Sequence, residues 1–245
     1  MRRDVLQLRT FYATPLGRAT RDLIQRQLVA AWGDASGLDV LGLGYATPYL
    51  EPFCAAGRRT VSAMPADQGV ERWPHDSANQ VCLSTERALP FPNALFDRVL
   101  AVHSLEESDD PAAFLGEVKR VLSPSGRVIL IVSNRLGVWS RAESTPFGYG
   151  RPFSRSQLEE AVRAAGLEPT AWSRALYAPP IQFFAPLAES FEQVGSRLWT
   201  PLAGLILMEA VKQTFAIKPR GAAVPVRAPR VIRPAAAPVG ARQRS

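Results

Sequence analysis

The sequence is poor in thiols and in long apolar runs, and its last stretch has no acid at all. Two cysteines, Cys54 and Cys82, make no disulfide framework, so a reduced, cytoplasmic protein is expected. Neither sits at a ligand spacing, so no metal is expected either. The strongest apolar run, Leu202–Met208, breaks at Glu209 and is far too short to span a bilayer. The opening MRRDVLQLRT is too polar for the apolar region of a signal peptide. Residues 218–245 carry seven basic residues and no Asp or Glu, so this stretch alone accounts for the formal charge of +7. A basic nucleic-acid face on a folded body is therefore not implied. The stretch also holds five prolines and no aromatic residue, and is expected to be a disordered tail. Contact with acidic partners, RNA or anionic lipid is its functional reading; a solvated tail with no specific partner is the plainer one.

The remaining residues, 1–217, are expected to form one domain. With 47% apolar residues overall the chain can bury a sizeable core. Thr14–Trp32 has helical periodicity, with Leu16, Ala19, Leu23, Leu28 and Ala31 near one face. Apolar strands are expected at Leu38–Gly44, Arg59–Met64, Gln80–Ser84, Leu95–Leu105 and Gly126–Asn134. Helices are expected at Pro48–Ala56, with Thr47 as N-cap, at Pro111–Leu122 and at Ser154–Ala165, the last ended by Gly166. Further strands fall near Glu168–Tyr177 and Ala203–Lys212, with a helical stretch between. Strands alternating with helices predict an α/β fold, a doubly wound, mostly parallel sheet covered on both faces.

In such a sheet, ligands bind at the carboxyl ends of the strands. The first strand ends in Gly42-Leu43-Gly44-Tyr45-Ala46-Thr47. A glycine there lets the backbone turn sharply and approach a ligand, and the free N–H groups of the next helix favour an anionic or polar group. A tight strand-to-helix turn needs such a glycine for steric reasons as well.

A longer constellation is more specific. Leu89-Pro90-Phe91-Pro92 is followed by Phe96-Asp97 opening a strand, then the acidic Glu106 and Glu107, then Glu117–Leu122 as EVKRVL, then Pro124-Ser125-Gly126-Arg127 before another strand. In these motifs the chain resembles the class I S-adenosylmethionine-dependent methyltransferases of type 11, closely over residues 38–134 and in the order of elements to about 215. Thr145–Ser154, Leu158 and Ala164–Leu167 resemble the same family. The resemblance implies a Rossmann-like seven-stranded sheet whose last strand, Ala203–Lys212, is antiparallel.

It also implies S-adenosylmethionine as cofactor and methyl transfer to a small-molecule acceptor. The implied cofactor residues are Gly42, Gly44, Tyr45, Ala46, Met64, Thr85, Glu86 and His103. Several depart from the family's pattern. Gly42 stands at the acid position of the first motif, Ala46 and Pro48 replace glycines, Met64 stands where an acid holds the ribose, and Thr85 where an acid stands beside the adenine. Asp67 and Glu86 are the nearest carboxylates to the last two. His103, at the end of the fourth strand, faces the reacting centre in the family, where it would act as a catalytic proton acceptor. The alternative is a histidine bonded to a loop carbonyl. Gly44, Met64, Thr85 and His103 are expected around one cavity, with Tyr45, Trp139, Phe147 and Tyr149 as candidate aromatic walls. Asp97 sits at the wrong end of its strand for chemistry and is expected to bind backbone. His75, in a loop, is expected at the surface.

Two other readings compete. A non-catalytic relative would keep the fold as a binding or regulatory module, which the missing acids favour. A dinucleotide oxidoreductase would need an acid about 20 residues beyond the glycines, and it leaves Leu89–Asn134 unexplained.

Overall fold

The computed structural model describes residues 2–198 and 200–212. The chain divides into Met1–Thr214 and Phe215–Ser245. The tail expected at 218–245 lies outside the described residues.

Among the described residues, seven strands form one sheet: β1 (Asp39–Gly44), β2 (Arg59–Pro65), β3 (Val81–Ser84), β4 (Phe96–Val102), β5 (Leu122–Ser133), β6 (Leu167–Ala175) and β7 (Leu205–Lys212). Their order is β3-β2-β1-β4-β5-β7-β6. All pairings from β3 to β5 are parallel, and β7 is antiparallel to both β5 and β6. This is the Rossmann-like doubly wound sheet, with the last strand reversed as expected. The central strands are buried on both faces, which is why they read as continuous apolar runs rather than alternating ones.

Among the described residues, six helices flank the sheet: α1 (Val5–Ala13), α2 (Pro15–Trp32), α3 (Thr47–Cys54), α4 (Pro111–Val121), α5 (Arg155–Ala164) and α6 (Ala188–Leu198). Helix α2 begins after Thr14, whose hydroxyl accepts from the Gly17 N–H, and buries Leu16, Leu23 and Leu28. Ala19 is only half-buried and Ala31 is exposed. Helix α3 starts one residue earlier than expected: Thr47 is its first residue, and Ala46 caps it without a side-chain bond. Helix α5 opens with a reciprocal capping box between Ser154 and Gln157.

The family motifs have structural work in this fold. Glu117 accepts from the Leu89 N–H at 2.7 Å, while Arg120 donates to the carbonyls of Leu89 and Phe91 and pairs with Glu117. The E-x-x-R pair of α4 thus pins the Leu-Pro-Phe loop before β4. Asp97 accepts from the Asp39 N–H and the Ser123 hydroxyl, a role in tying three strands together.

The element that periodicity missed is α1. Asp4 caps it, and it buries Val5, Leu8, Phe11 and Tyr12. Burial of four such side chains is worth about 1.5–3 kcal/mol each, so α1 is held firmly.

Candidate functional site

Parallel pairing puts the carboxyl ends of β1, β2, β3 and β4 on one edge. At the end of β1, Gly44 has φ +73°, and a Cβ there would lie 2.2 Å from the Val102 carbonyl oxygen. The glycine is demanded by this close approach of β4. At Gly42 a Cβ would meet Leu50 Cδ1 at 2.6 Å and Ala46 Cβ at 2.9 Å, so an acid there would require both side chains to give way.

Helix α1 lies across this edge. The Tyr12 hydroxyl is 2.8 Å from His103 Nε2 and 2.8 Å from the Tyr49 hydroxyl. Its ring stacks on Tyr45, with centroids 5.7 Å apart. The Tyr45 hydroxyl donates to Glu71 at 2.7 Å. His103 packs against Phe147, ring centroids 4.6 Å apart. Tyr45, Ala46, Met64 and His103 are all buried. Of the four residues expected around one cavity, Gly44, Met64 and His103 are thus buried, with Tyr12 of α1 packed on Tyr45 and His103, while Thr85 borders a cavity that the other three do not line. Trp139 and Phe147 are core residues, with the Trp139 indole N–H donating to the Ala178 carbonyl at 2.7 Å. Tyr149 is half-buried under the Arg3 guanidinium, 3.9 Å from its ring centroid.

His103 ends β4 with φ +51°, a left-handed conformation that a non-glycine residue adopts at a cost. Its partner is the Tyr12 hydroxyl rather than a loop carbonyl. Burial, then the nearby Arg3 charge, lower its pKa to about 3, so it is neutral at ordinary pH. Its Nδ1 is buried without a hydrogen-bond partner. So are Ser104 Oγ and both polar side-chain atoms of Gln68. Glu106 is 2% exposed, and neither carboxylate oxygen has a partner in good geometry. Burial pushes it up to about 8, with Glu107 adding to the rise and the amides of Glu106 and Ser104 opposing part of it. Glu107 is raised to about 7, again chiefly by burial.

Beside this group, a cavity of about 350 Å³ opens at the ends of β2 and β3, bordered by Asp67, Ser84, Thr85, Glu86 and Asp109. Arg2 forms its wall. The guanidinium donates to Glu86 at 2.8 Å and lies 3.3 Å from Asp67, with its side chain only 2% exposed. The N-terminal segment continues with the Arg3 N–H on Glu107 and the Val5 N–H on the Gln68 carbonyl. Sequence reasoning passed over Arg2, Tyr12 and Gln68. The signal for Arg2 was a basic residue ahead of an amphipathic nonapeptide, which is common and points nowhere until the chain folds.

The donor set allows a test of fit to S-adenosylmethionine. Asp67 and Glu86 are acceptors on a polar cavity, which suits the hydroxyl and amino donors of a nucleoside, but both now bind Arg2. Over Gly44 the methionine half would meet Tyr12. The residues fit the nucleoside half once Arg2 withdraws, and the methionine half only if α1 shifts.

Comparison with known proteins agrees with the topology. A family model described as a methyltransferase domain matches residues 38–130. No curated protein sequence matches the chain. Among solved structures, an S-adenosylmethionine-dependent methyltransferase from Thermotoga maritima, described as a possible histamine N-methyltransferase, superposes with a TM-score of 0.57 at 18% identity, over 85% of this chain and 96% of that one. The Burkholderia thailandensis 1,6-didemethyltoxoflavin-N1-methyltransferase, with its substrate and S-adenosylhomocysteine bound, gives 0.54 at 20% identity, over 86% and 88%. The [4+2]-cyclase SpnF gives 0.55 at 21%, over 78% and 80%. A cyclase among them illustrates that this fold serves more than one reaction. The chain has a class I S-adenosylmethionine-dependent methyltransferase-like fold, with a methyltransferase-domain match over residues 38–130.

Proposed function

We propose that the chain is an S-adenosylmethionine-dependent methyltransferase of the cytoplasm that acts on a small-molecule acceptor at the carboxyl edge of its sheet. The observation that carries this reading is the set of buried, unpartnered polar groups at His103, Ser104, Glu106 and Gln68. Each costs about 1–3 kcal/mol when left unpaired. These four follow the carboxyl ends of β2 and β4, the edge at which a doubly wound sheet takes its ligands.

Asp67, Thr85 and Glu86 would hold the nucleoside of the cofactor, and Tyr45 and Ala46 would border its methionine half. When bound, the cofactor supplies an electrophilic methyl group on a sulfonium. The chain's own part is positioning and exclusion of water, with α1 as the cover. His103, neutral and held by Tyr12, can take a proton from an acceptor hydroxyl or amine once that bond is given up. Glu106 and Glu107, with pKa values near neutrality, are alternative proton acceptors at the same edge.

A second reading, a non-catalytic binding module, is favoured by Gly42, where an acid would crowd Leu50 and Ala46, and by Tyr12 over the glycine turn. Calorimetric titration with S-adenosylhomocysteine, followed by transfer of a labelled methyl group to a library of small amines and alcohols, separates the two. Binding with turnover supports the enzyme; binding without turnover on any acceptor favours the module.

A further inference from the structure

Helix α6 packs on the core through Ala188, Phe191 and Gly195 and leaves further apolar side chains on its outer side. Its inner side presents Ala188, Glu192 and Gly195: Glu192 accepts from the Leu176 and Tyr177 N–H groups, and a Cβ on Gly195 would lie 2.5 Å from Tyr177. Its outer side presents Val194 and Leu198, one turn apart and 45% and 73% exposed. The same apolar surface continues into Leu202, 51% exposed, in the turn before β7.

A second segment joins it. The loop after β5 exposes Leu136 and Val138 by 60% and 50%. It is fastened beside the first by Asn134, whose side-chain amide donates to the carbonyls of Pro201 and Ala203 and whose N–H donates to that of Gly204. Because β7 runs antiparallel to β5, both segments lie at the carboxyl edge of the parallel strands.

The two segments themselves carry charge of one sign. Residues 133–142 and 193–204 contain Arg135, Arg141 and Arg197 and no Asp or Glu. All three arginines are exposed, and none is ion-paired among the described residues. A contiguous exposed apolar patch rimmed by polar groups marks an interaction site. With exposed arginines in both segments, it complements a surface that is apolar beneath and anionic above. Elsewhere in the sequence, residues 218–245 carry seven basic residues and no acid. An apolar insertion and a polybasic segment are the two signals that together hold a protein on a membrane.

We infer that the patch formed by Leu136, Val138, Leu198 and Leu202 with Arg135, Arg141 and Arg197 docks on an anionic lipid surface. The apolar side chains enter the headgroup boundary and the arginines meet lipid phosphates. This places the carboxyl edge of the sheet next to the bilayer.

The test is co-sedimentation of the full chain with sucrose-loaded vesicles. Phosphatidylcholine vesicles containing about one third phosphatidylglycerol should carry the protein down, and pure phosphatidylcholine vesicles should not. Raising the salt to about 0.5 M should weaken the binding, since surface charges are then screened. Leu198→Asp and Leu136→Asp should each reduce partitioning about tenfold. Both side chains are exposed, so circular dichroism and melting temperature should not change. Absence of sedimentation with anionic vesicles overturns the inference. So does binding that neither substitution weakens, which would assign it to the tail alone. A dimer by light scattering that Leu198→Asp dissociates, with no vesicle binding, overturns it in favour of a second copy of the chain.

Discussion

The Tyr12 hydroxyl lies 2.8 Å from His103 Nε2, joining the N-terminal helix to the end of the fourth strand. In the proposed reading this bond holds α1 closed over the glycine turn at Gly44. Tyr12→Phe keeps the ring in the stack with Tyr45 and removes the hydroxyl, leaving His103 Nε2 without its partner and the Tyr49 hydroxyl short of one. The expected cost is about 1–3 kcal/mol, read as a lower urea midpoint with an unchanged m value. A midpoint equal to that of the wild type would mean that the bond contributes nothing to closure.

Arg2→Ala should act in two directions at once. It removes the cation that occupies Glu86 and Asp67, so S-adenosylhomocysteine should bind several-fold more tightly. It also strands Glu86, whose side chain is 14% exposed, so stability should fall by about 1–3 kcal/mol. Calorimetry and thermal melts on the same sample read both. Unchanged affinity alongside a lowered melting temperature would make Arg2 a purely structural contact.

Gly44→Val should destabilise the fold rather than spare it. At φ +73° a branched side chain is strained, and the Val102 carbonyl leaves no room for a Cβ. A loss of more than about 2 kcal/mol is expected, so this variant is a poor probe of ligand contact. A melting temperature within a degree or so of the wild type would contradict the geometry.

Stability should fall between pH 6.5 and 8. Glu106 and Glu107 have folded pKa values of about 8 and about 7, above the unfolded value of 4.5, so in this window the folded state binds more protons than the unfolded one. His103 has the opposite sign. Its folded value of about 3 lies below the unfolded 6.5, so it adds stability as pH rises from 3 to 6.5 and nothing beyond. The two effects oppose each other below 6.5 and separate above it. Glu106→Gln should flatten the decline above pH 6.5 by an amount on the order of 1 kcal/mol. Denaturant titrations at pH 6.5, 7.2 and 8 measure it; a wild-type curve already flat there would sink the assignment.

Most of the sheet was legible in the sequence, because buried parallel strands are short apolar runs bounded by turns. Val40–Leu43, Val99–Val102 and Val128–Val132 announce themselves that way. The Leu89–Arg127 motifs were legible for a related reason: Glu117 and Arg120 have a fixed structural task. What did not show was the cover. Helix α1 is nine residues long, and its apolar positions make sense only against Tyr45, Tyr49 and Phe147, which come from distant parts of the chain. Asp67 and Glu86 could be named as nearby acids, but that Arg2 holds both depends on a loop path that no local pattern encodes. The segments that carry Leu136 and Leu198 are joined through Asn134, whose partners lie about 67 to 70 residues further on.

The most direct measurement is titration of the full chain with S-adenosylhomocysteine while amide exchange is followed over residues 2–13. Saturable binding is predicted, with faster exchange in that segment as Arg2 leaves Glu86 and Tyr12 shifts from His103, and with tighter binding by Arg2→Ala. No heat from either the wild type or Arg2→Ala, with exchange unaltered, would contradict the account and leave a methyltransferase-like fold that does not take the cofactor.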